Sequence, residues 1–245
     1  IFRDCFTKIP RLLDVSEYKN DEYFKLIEFP ERKLGAWEFR KQKFKPCEAF
    51  LYDETQVCPD GLLKPCIGFF TEEFEYPAVL QNGREWITVT PHEINTTKPA
   101  LDACFGNVLT YGLGFGYFTL LASLKKNVNS VTVVELDADA VSLFKEYILP
   151  QFPDKDKVRI VNEDAFEFAA DKNKSSGFDF VFADIWHDPS DGVEMYEKFK
   201  ILENRGFGTR YCYWIEKTLK WYIAHNTQND LSCAPDANFE IFGTR

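Results

Sequence analysis

No stretch of the 245 residues is apolar for long enough to cross a bilayer, and no basic-then-apolar leader opens the chain. The expectation is a cytoplasmic protein with no membrane partner. The first residue is Ile1 rather than Met, so a start that was trimmed or is missing is expected. Histidine is scarce. His92, His187 and His225 are the only three, and none has a His or Cys neighbour at ligand spacing, which argues against a structural metal. CxxC spacing is absent among the seven cysteines (Cys5, Cys47, Cys58, Cys66, Cys104, Cys212 and Cys233). An odd count without that spacing argues for reduced, mostly buried thiols over a disulfide frame or a zinc site. Positive charge is also short. The net charge is −10, which works against nucleic-acid binding, since that rests on many Lys/Arg–phosphate contacts.

Apolar side chains are plentiful, at 45% of the sequence with aromatics at 16%, so a sizeable core is expected rather than disorder. The length suits one large domain, or one domain and a small appendage. From about residue 23 to 90 the pattern is β-rich. Basic residues crowd one part of it: Arg32, Lys33, Arg40, Lys41, Lys43 and Lys45, interleaved with Trp37, Phe39 and Phe44. An edge strand with a solvated charged face is favoured there over a track for a polyanion. Asn82-Gly83, between two apolar runs, predicts a hairpin with a type I′ turn. Thr90, Pro91 and Glu93 predict a capped helix start with a capping box, and Pro99 predicts its end or a kink.

The pattern then changes to strand, helix, strand. Strands are expected at 108–111, 131–135, 158–161 and 178–185. Helices are expected at 117–125, from the Asp137 cap to Pro150, at 165–170 and at 192–203. A further strand at 211–215, a helix at 216–224 and a loose polar tail from Asn226 complete the reading. This alternation implies a parallel sheet with right-handed crossovers.

Gly112-Leu113-Gly114-Phe115-Gly116 follows the first of these strands and opens a helix. Glycine lets the backbone turn tightly and lets a ligand touch it, and a helix N-terminus offers free N–H groups. Glu135 ends the second strand, where a carboxylate accepts hydrogen bonds from ribose hydroxyls in many α/β folds. Asp164 follows the third strand and either caps the helix after it or accepts from an adenine amino group. Asp184 closes the fourth. Open α/β sheets bind ligands outside the carboxyl ends of their strands, so these four features read as one ligand site. The dinucleotide fingerprint G-x-G-x-x-G asks for glycine at position 117, where Tyr117 stands.

The G-x-G-x-G spacing resembles that of class I S-adenosylmethionine-dependent methyltransferases. Residues 108–116 resemble their first motif. Val133-Val134-Glu135-Leu136-Asp137 resembles the ribose-binding segment, and Asn162-Glu163-Asp164-Ala165-Phe166 the adenine-binding one. Phe178-Asp179-Phe180-Val181-Phe182-Ala183-Asp184 resembles the fourth-strand motif. The resemblance implies an α/β, Rossmann-like, mostly parallel sheet shortened at its C-terminal side, over residues 99–245. A small β-rich N-terminal domain, residues 1–98, would precede it. It implies S-adenosyl-L-methionine as cofactor, held by Tyr111, Gly112, Gly114, Gly116, Glu135, Leu136, Asp164, Ala165 and Asp184. Glu135 would hold the ribose and Asp164 the adenine amino group. The Ala165 backbone would touch the ring, and Asp184 would lie near the methionine end.

Two departures resemble the spermidine synthase branch. Thr110 stands where many class I enzymes have an acid, and a β-rich segment precedes the core. That branch carries a D-S-x-D-P motif, against Asp184-Ile185-Trp186-His187-Asp188-Pro189 here, with the second acid one residue late. It also carries Tyr-His-Glu, against Pro91-His92-Glu93. The expectation is therefore a methyltransferase acting on a small-molecule acceptor. Spermidine-synthase-like aminopropyl transfer is the alternative, and cofactor binding without transfer a second one. Asp184 is the first candidate for handling the acceptor's proton, with His187 and Asp188 second as a base pair; His187 reads equally well as a plain loop histidine. Trp186 reads as packing ahead of stacking on a cation. The aromatic content leaves room for a homodimer surface.

Overall fold

The computed structural model describes residues 10–35, 37–81, 83–203 and 208–226. Cys5, Asn82, Cys233 and the polar tail beyond 226 lie outside them. The N-terminal part runs β1 (Arg11–Leu12), α1 (Val15–Lys19), α2 (Glu22–Leu26), β2 (Arg32–Leu34), β3 (Trp37–Phe44), β4 (Phe50–Val57), β5 (Leu63–Phe69), β6 (Phe74–Gln81) and β7 (Arg84–Thr88). Two sheets result, ordered β1-β5-β4 and β2-β3-β6-β7. The period-two pattern of β3 turns Trp37 and Phe39 inward and leaves Arg40 and Lys43 outside, paired with Glu38 and Glu73. β2 pairs only with residues 37–39, so the basic half of β3 is an open, charged edge. Gly83, at φ +81°, turns β6 into β7.

Helix α3 (Pro91–Ala103) starts and ends differently from the sequence reading. The Thr90 side chain makes no capping bond, so no capping box forms, and Pro91 at the first position begins the helix alone. Pro99 does not end the helix. Ile94, Thr97 and Ala100 are buried, α3 packs on β4, and the Trp214 indole N–H donates to the Thr96 hydroxyl at 2.8 Å. Those tertiary contacts outweigh the backbone bond that proline removes. α3 crosses the 98/99 position as one continuous helix.

The remainder is β8 (Gly106–Tyr111), α4 (Tyr117–Ser123), β9 (Val128–Glu135), α5 (Ala138–Leu143), β10 (Val158–Asn162), α6 (Ala165–Ala170), α7 (Lys172–Ser175), β11 (Phe180–Ala183), α8 (Pro189–Leu202), β12 (Arg210–Tyr213) and α9 (Glu216–Asn226). The five strands form one wholly parallel sheet ordered β10-β9-β8-β11-β12. This is the α/β, Rossmann-like sheet, preceded by a β-rich region. Val108, Leu109, Val131, Val133, Phe180 and Phe182 are fully buried, as central parallel strands covered on both faces require. After α5 the chain makes a π-helical turn over Phe144–Ile148 and a tight 3₁₀ turn, Leu149–Gln151, which holds Pro150. The order reverses at β8, whose neighbours β9 and β11 lie on opposite sides, and ligands of such sheets bind at that switch.

No disulfide joins the described cysteines. Cys66 and Cys104 are buried, but Cys47 is exposed, so burial of the thiols is partial. No described helix is long and apolar enough to cross a membrane.

Candidate active site

The tips of β8, β9, β10 and β11 lie side by side, and their loops carry the glycine turn, Glu135, Asp164 and Asp184. Gly112 has φ +95°, and a Cβ there would run into the Asp184 carbonyl oxygen. Only glycine lets the turn pass so close to the end of β11. Gly112 N–H donates to Val134 O at 2.9 Å and Asp184 N–H to Tyr111 O at 3.0 Å, tying β8, β9 and β11 together at the rim. Gly116, at φ +72°, caps α4, and a Cβ there would strike the Phe144 ring. Gly114 differs: a Cβ would meet only Ile87 of β7, at 3.9 Å. The middle of the turn is the part with room beside it.

Glu135 braces this turn. One carboxylate oxygen accepts the Leu113 N–H at 3.1 Å and the other the Asp137 N–H at 2.9 Å. Burial raises its pKa, and these bonds work the other way. Asn162 donates to the carbonyls of both Glu135 and Leu136 at 2.8 Å, fixing the loop that leaves 68% of Leu136 exposed. Asp164 caps α6 through one oxygen, which accepts from Phe166 and Glu167. Ala165 is buried beneath it. The Tyr111 ring packs inside the core against Phe168 and Phe199, so only its backbone reaches the rim.

Asp184 is half-buried, closely surrounded by protein yet reached by solvent, and its carboxylate accepts no hydrogen bond from the described residues. Burial raises its pKa well above the carboxylate range, and the charge of Glu93 raises it further. The sequence reading did not place Glu93, or its neighbour His92, among the candidate site residues. It assigned Glu93 to a capping box, although the Pro91-His92-Glu93 run carried the signal. His92 Nδ1 lies 3.4 Å from Glu93 Oε1, and its ring stands edge-on to Trp214, 5.8 Å between centroids.

His187 and Asp188 are placed differently. Asp188 is the N-cap of α8, accepting from Ser190 N–H at 2.6 Å in a capping box with Asp191. Burial works to raise its pKa, but the Ser190 bonds and nearby His187 outweigh it and the net shift is downward. His187 is exposed, 3.7 Å from Asp188 by Nδ1 and 5.7 Å from the Trp86 ring. Trp186 is buried over Gly192 and stacked on Tyr213, and its indole N–H has no partner among the described residues. A separate cavity of about 460 Å³, lined by Phe24, Lys25, Lys41, Glu75 and others, shares no residue with this rim.

Residues 107–203 match the spermine/spermidine synthase domain. The match takes in β8 to the end of α8, and so the glycine turn and all three acids. No curated protein sequence matches the chain. Similar solved structures include spermidine synthase from Thermotoga maritima, 17% identical over 52% of this chain and 49% of that one, TM-score 0.36. A probable spermidine synthase from Corynebacterium glutamicum is 22% identical over 51% of each chain, TM-score 0.36. The chain thus spans about half the length of these relatives.

The domain match overturns two expectations. It points to a transferase of the spermidine-synthase kind, so the expectation of methyl transfer falls and the aminopropyl alternative is the better supported of the two. S-adenosyl-L-methionine as a resident cofactor falls with it, because aminopropyl transfer consumes the decarboxylated compound as a substrate.

Proposed function

We propose that the chain catalyses aminopropyl transfer from decarboxylated S-adenosylmethionine to a small amine. The observation that carries this reading is the Asp184 carboxyl, raised by burial and by Glu93, on the rim that also bears the glycine turn. Glu135 keeps lone pairs free beyond its two backbone bonds and suits a ribose diol. The second oxygen of Asp164 suits an adenine amino group. Gly114, the least crowded glycine of the turn, suits close approach of the adenosyl group.

The amine nitrogen attacks the propyl carbon bonded to the sulfonium. The carbon–sulfur bond breaks with its electron pair going to sulfur, which leaves as neutral methylthioadenosine. The alkylated nitrogen, now positive, sheds a proton to the Asp184 carboxylate. The sulfonium substrate is a cation, and so is the alkylated nitrogen that the neutral amine becomes; both favour the ionised form of Asp184 that burial and Glu93 disfavour. The rest of the catalysis is alignment of donor and acceptor.

The test is incubation with decarboxylated S-adenosylmethionine and a panel of linear diamines and monoamines, followed by mass spectrometry. Methylthioadenosine and an amine heavier by one aminopropyl group are expected in equal amounts. Binding of the adenosyl compound without either product would reduce the protein to a binding module.

A further inference from the structure

We propose that Tyr23 is a positioning residue for the glycine turn, so that the N-terminal segment sets the affinity of the site for the adenosyl group. For the identity of the ligand this rests on the aminopropyl-transfer reading. A five-residue turn with three glycines at positive φ has little stiffness of its own. Three of its braces come from the parallel sheet or the turn itself: Gly112 N–H to Val134 O, Leu113 N–H to Glu135, and Gly116 N–H to Leu113 O at 2.8 Å. A further one crosses from the N-terminal part. Tyr23 of α2 is fully buried, and its hydroxyl donates to Phe115 O at 2.7 Å.

The contact is built from both sides. The Phe115 ring is buried between Phe29, 5.1 Å away, and Phe39, 5.6 Å away. The Tyr23 ring lies 5.3 Å from that of Tyr117, the first residue of α4. Tyr117 in turn donates to Asp21, the cap of α2, at 2.9 Å. The bulky residue that breaks the dinucleotide fingerprint therefore docks α2 onto the start of α4. A buried carbonyl deprived of its donor is costly, and a turn freed to reorient must be ordered again when a ligand binds.

The experiment compares wild type, Tyr23→Phe and, as a control, Tyr18→Phe. Tyr18 lies in the same segment, but its hydroxyl accepts from Asn95 rather than meeting the turn. Calorimetry with methylthioadenosine, hydrogen exchange of residues 112–116 and steady-state kinetics are read together. Tyr23→Phe is expected to weaken methylthioadenosine binding and raise the KM for the sulfonium substrate by about tenfold each, with kcat within about twofold. Exchange in the turn speeds up, and the KM for the amine and the Tyr18→Phe protein stay at wild-type values. A merely structural role would instead lower the active fraction and so kcat, leaving KM unchanged, and that result overturns the proposal. So does wild-type binding and exchange in Tyr23→Phe. A wild-type protein that binds no methylthioadenosine sinks the functional reading, and with it the ligand named here, whatever the exchange result.

Discussion

The charge of Glu93, in the first turn of α3, adds to burial in raising the pKa of Asp184, directly after β11. The two acids come from distant parts of the chain, and burial is the larger influence on Asp184. An acid whose folded pKa is raised favours folding below its ordinary pKa. That contribution is lost as pH rises through the raised folded value. At neutral pH the site is therefore a source of instability.

Asp184→Asn removes this titration. Turnover is expected to fall by about 10²–10⁴-fold, the range for losing a positioned proton acceptor. Stability is expected to rise by about 1 kcal/mol at pH 8 and to match wild type near pH 4. Urea unfolding at the two pH values, beside methylthioadenosine release, reads both. A variant less stable at each pH and still active would remove Asp184 from the chemistry.

The rate should rise with pH as Asp184 ionises, with its acid limb above the ordinary carboxylate range. Glu93→Gln takes away a negative neighbour, so the Asp184 pKa falls. The limb of kcat should move to lower pH by about 0.5–1 unit. A limb that stays in place, or moves up, would show that Glu93 does not act on the titrating group.

The strand tips were legible because each signal was local. Gly112 to Gly116, Glu135, Asp164 and Asp184 each sit where an alternating strand–helix pattern ends, and a parallel sheet lines such ends up. The acid pair was not legible in that way. The charge of Glu93 acts on Asp184 because α3 packs on β4 and α4, with Thr96 bonded to Trp214 just after β12, a tertiary fact that helix-capping rules do not contain. Asp188 is the opposite case: an acid before Pro189 at a helix start is a cap by local rules, and resemblance to a two-acid motif drew attention away from that. Pro99 stayed inside α3 because buried neighbours compensated for it.

Gly112 and Gly114 differ by what surrounds them. Gly112→Ala drives a Cβ into the backbone of Asp184 at an unfavourable φ of +95°, and neither partner is a flexible side-chain end. A loss of about 3 kcal/mol or more is expected. Gly114→Ala makes only an ordinary contact with Ile87 at φ +53°, so only the left-handed backbone penalty of about 1 kcal/mol applies. Denaturant midpoints of the two variants separate these cases, and equal midpoints would contradict the tight crossing at the β11 tip.

Asp188 decides whether the one-residue shift in Asp184-Ile185-Trp186-His187-Asp188-Pro189 moved a catalytic acid or retired it. Its oxygen holds the Ser190 N–H at the start of α8. Asp188→Ala should therefore cost about 1 kcal/mol of stability, and Asp188→Ser, which can still cap, should restore most of it. Because its folded pKa is lowered, the stabilisation is present above the ordinary aspartate pKa and fades as pH falls through the lowered value. The Ala variant and wild type should thus converge in acid. Turnover in both variants should stay within about twofold of wild type, far from the 10²-fold loss that marks a proton acceptor. Activity lost in Asp188→Ser despite a restored fold would return this residue to the chemistry and leave Asp184 with a partner other than Glu93.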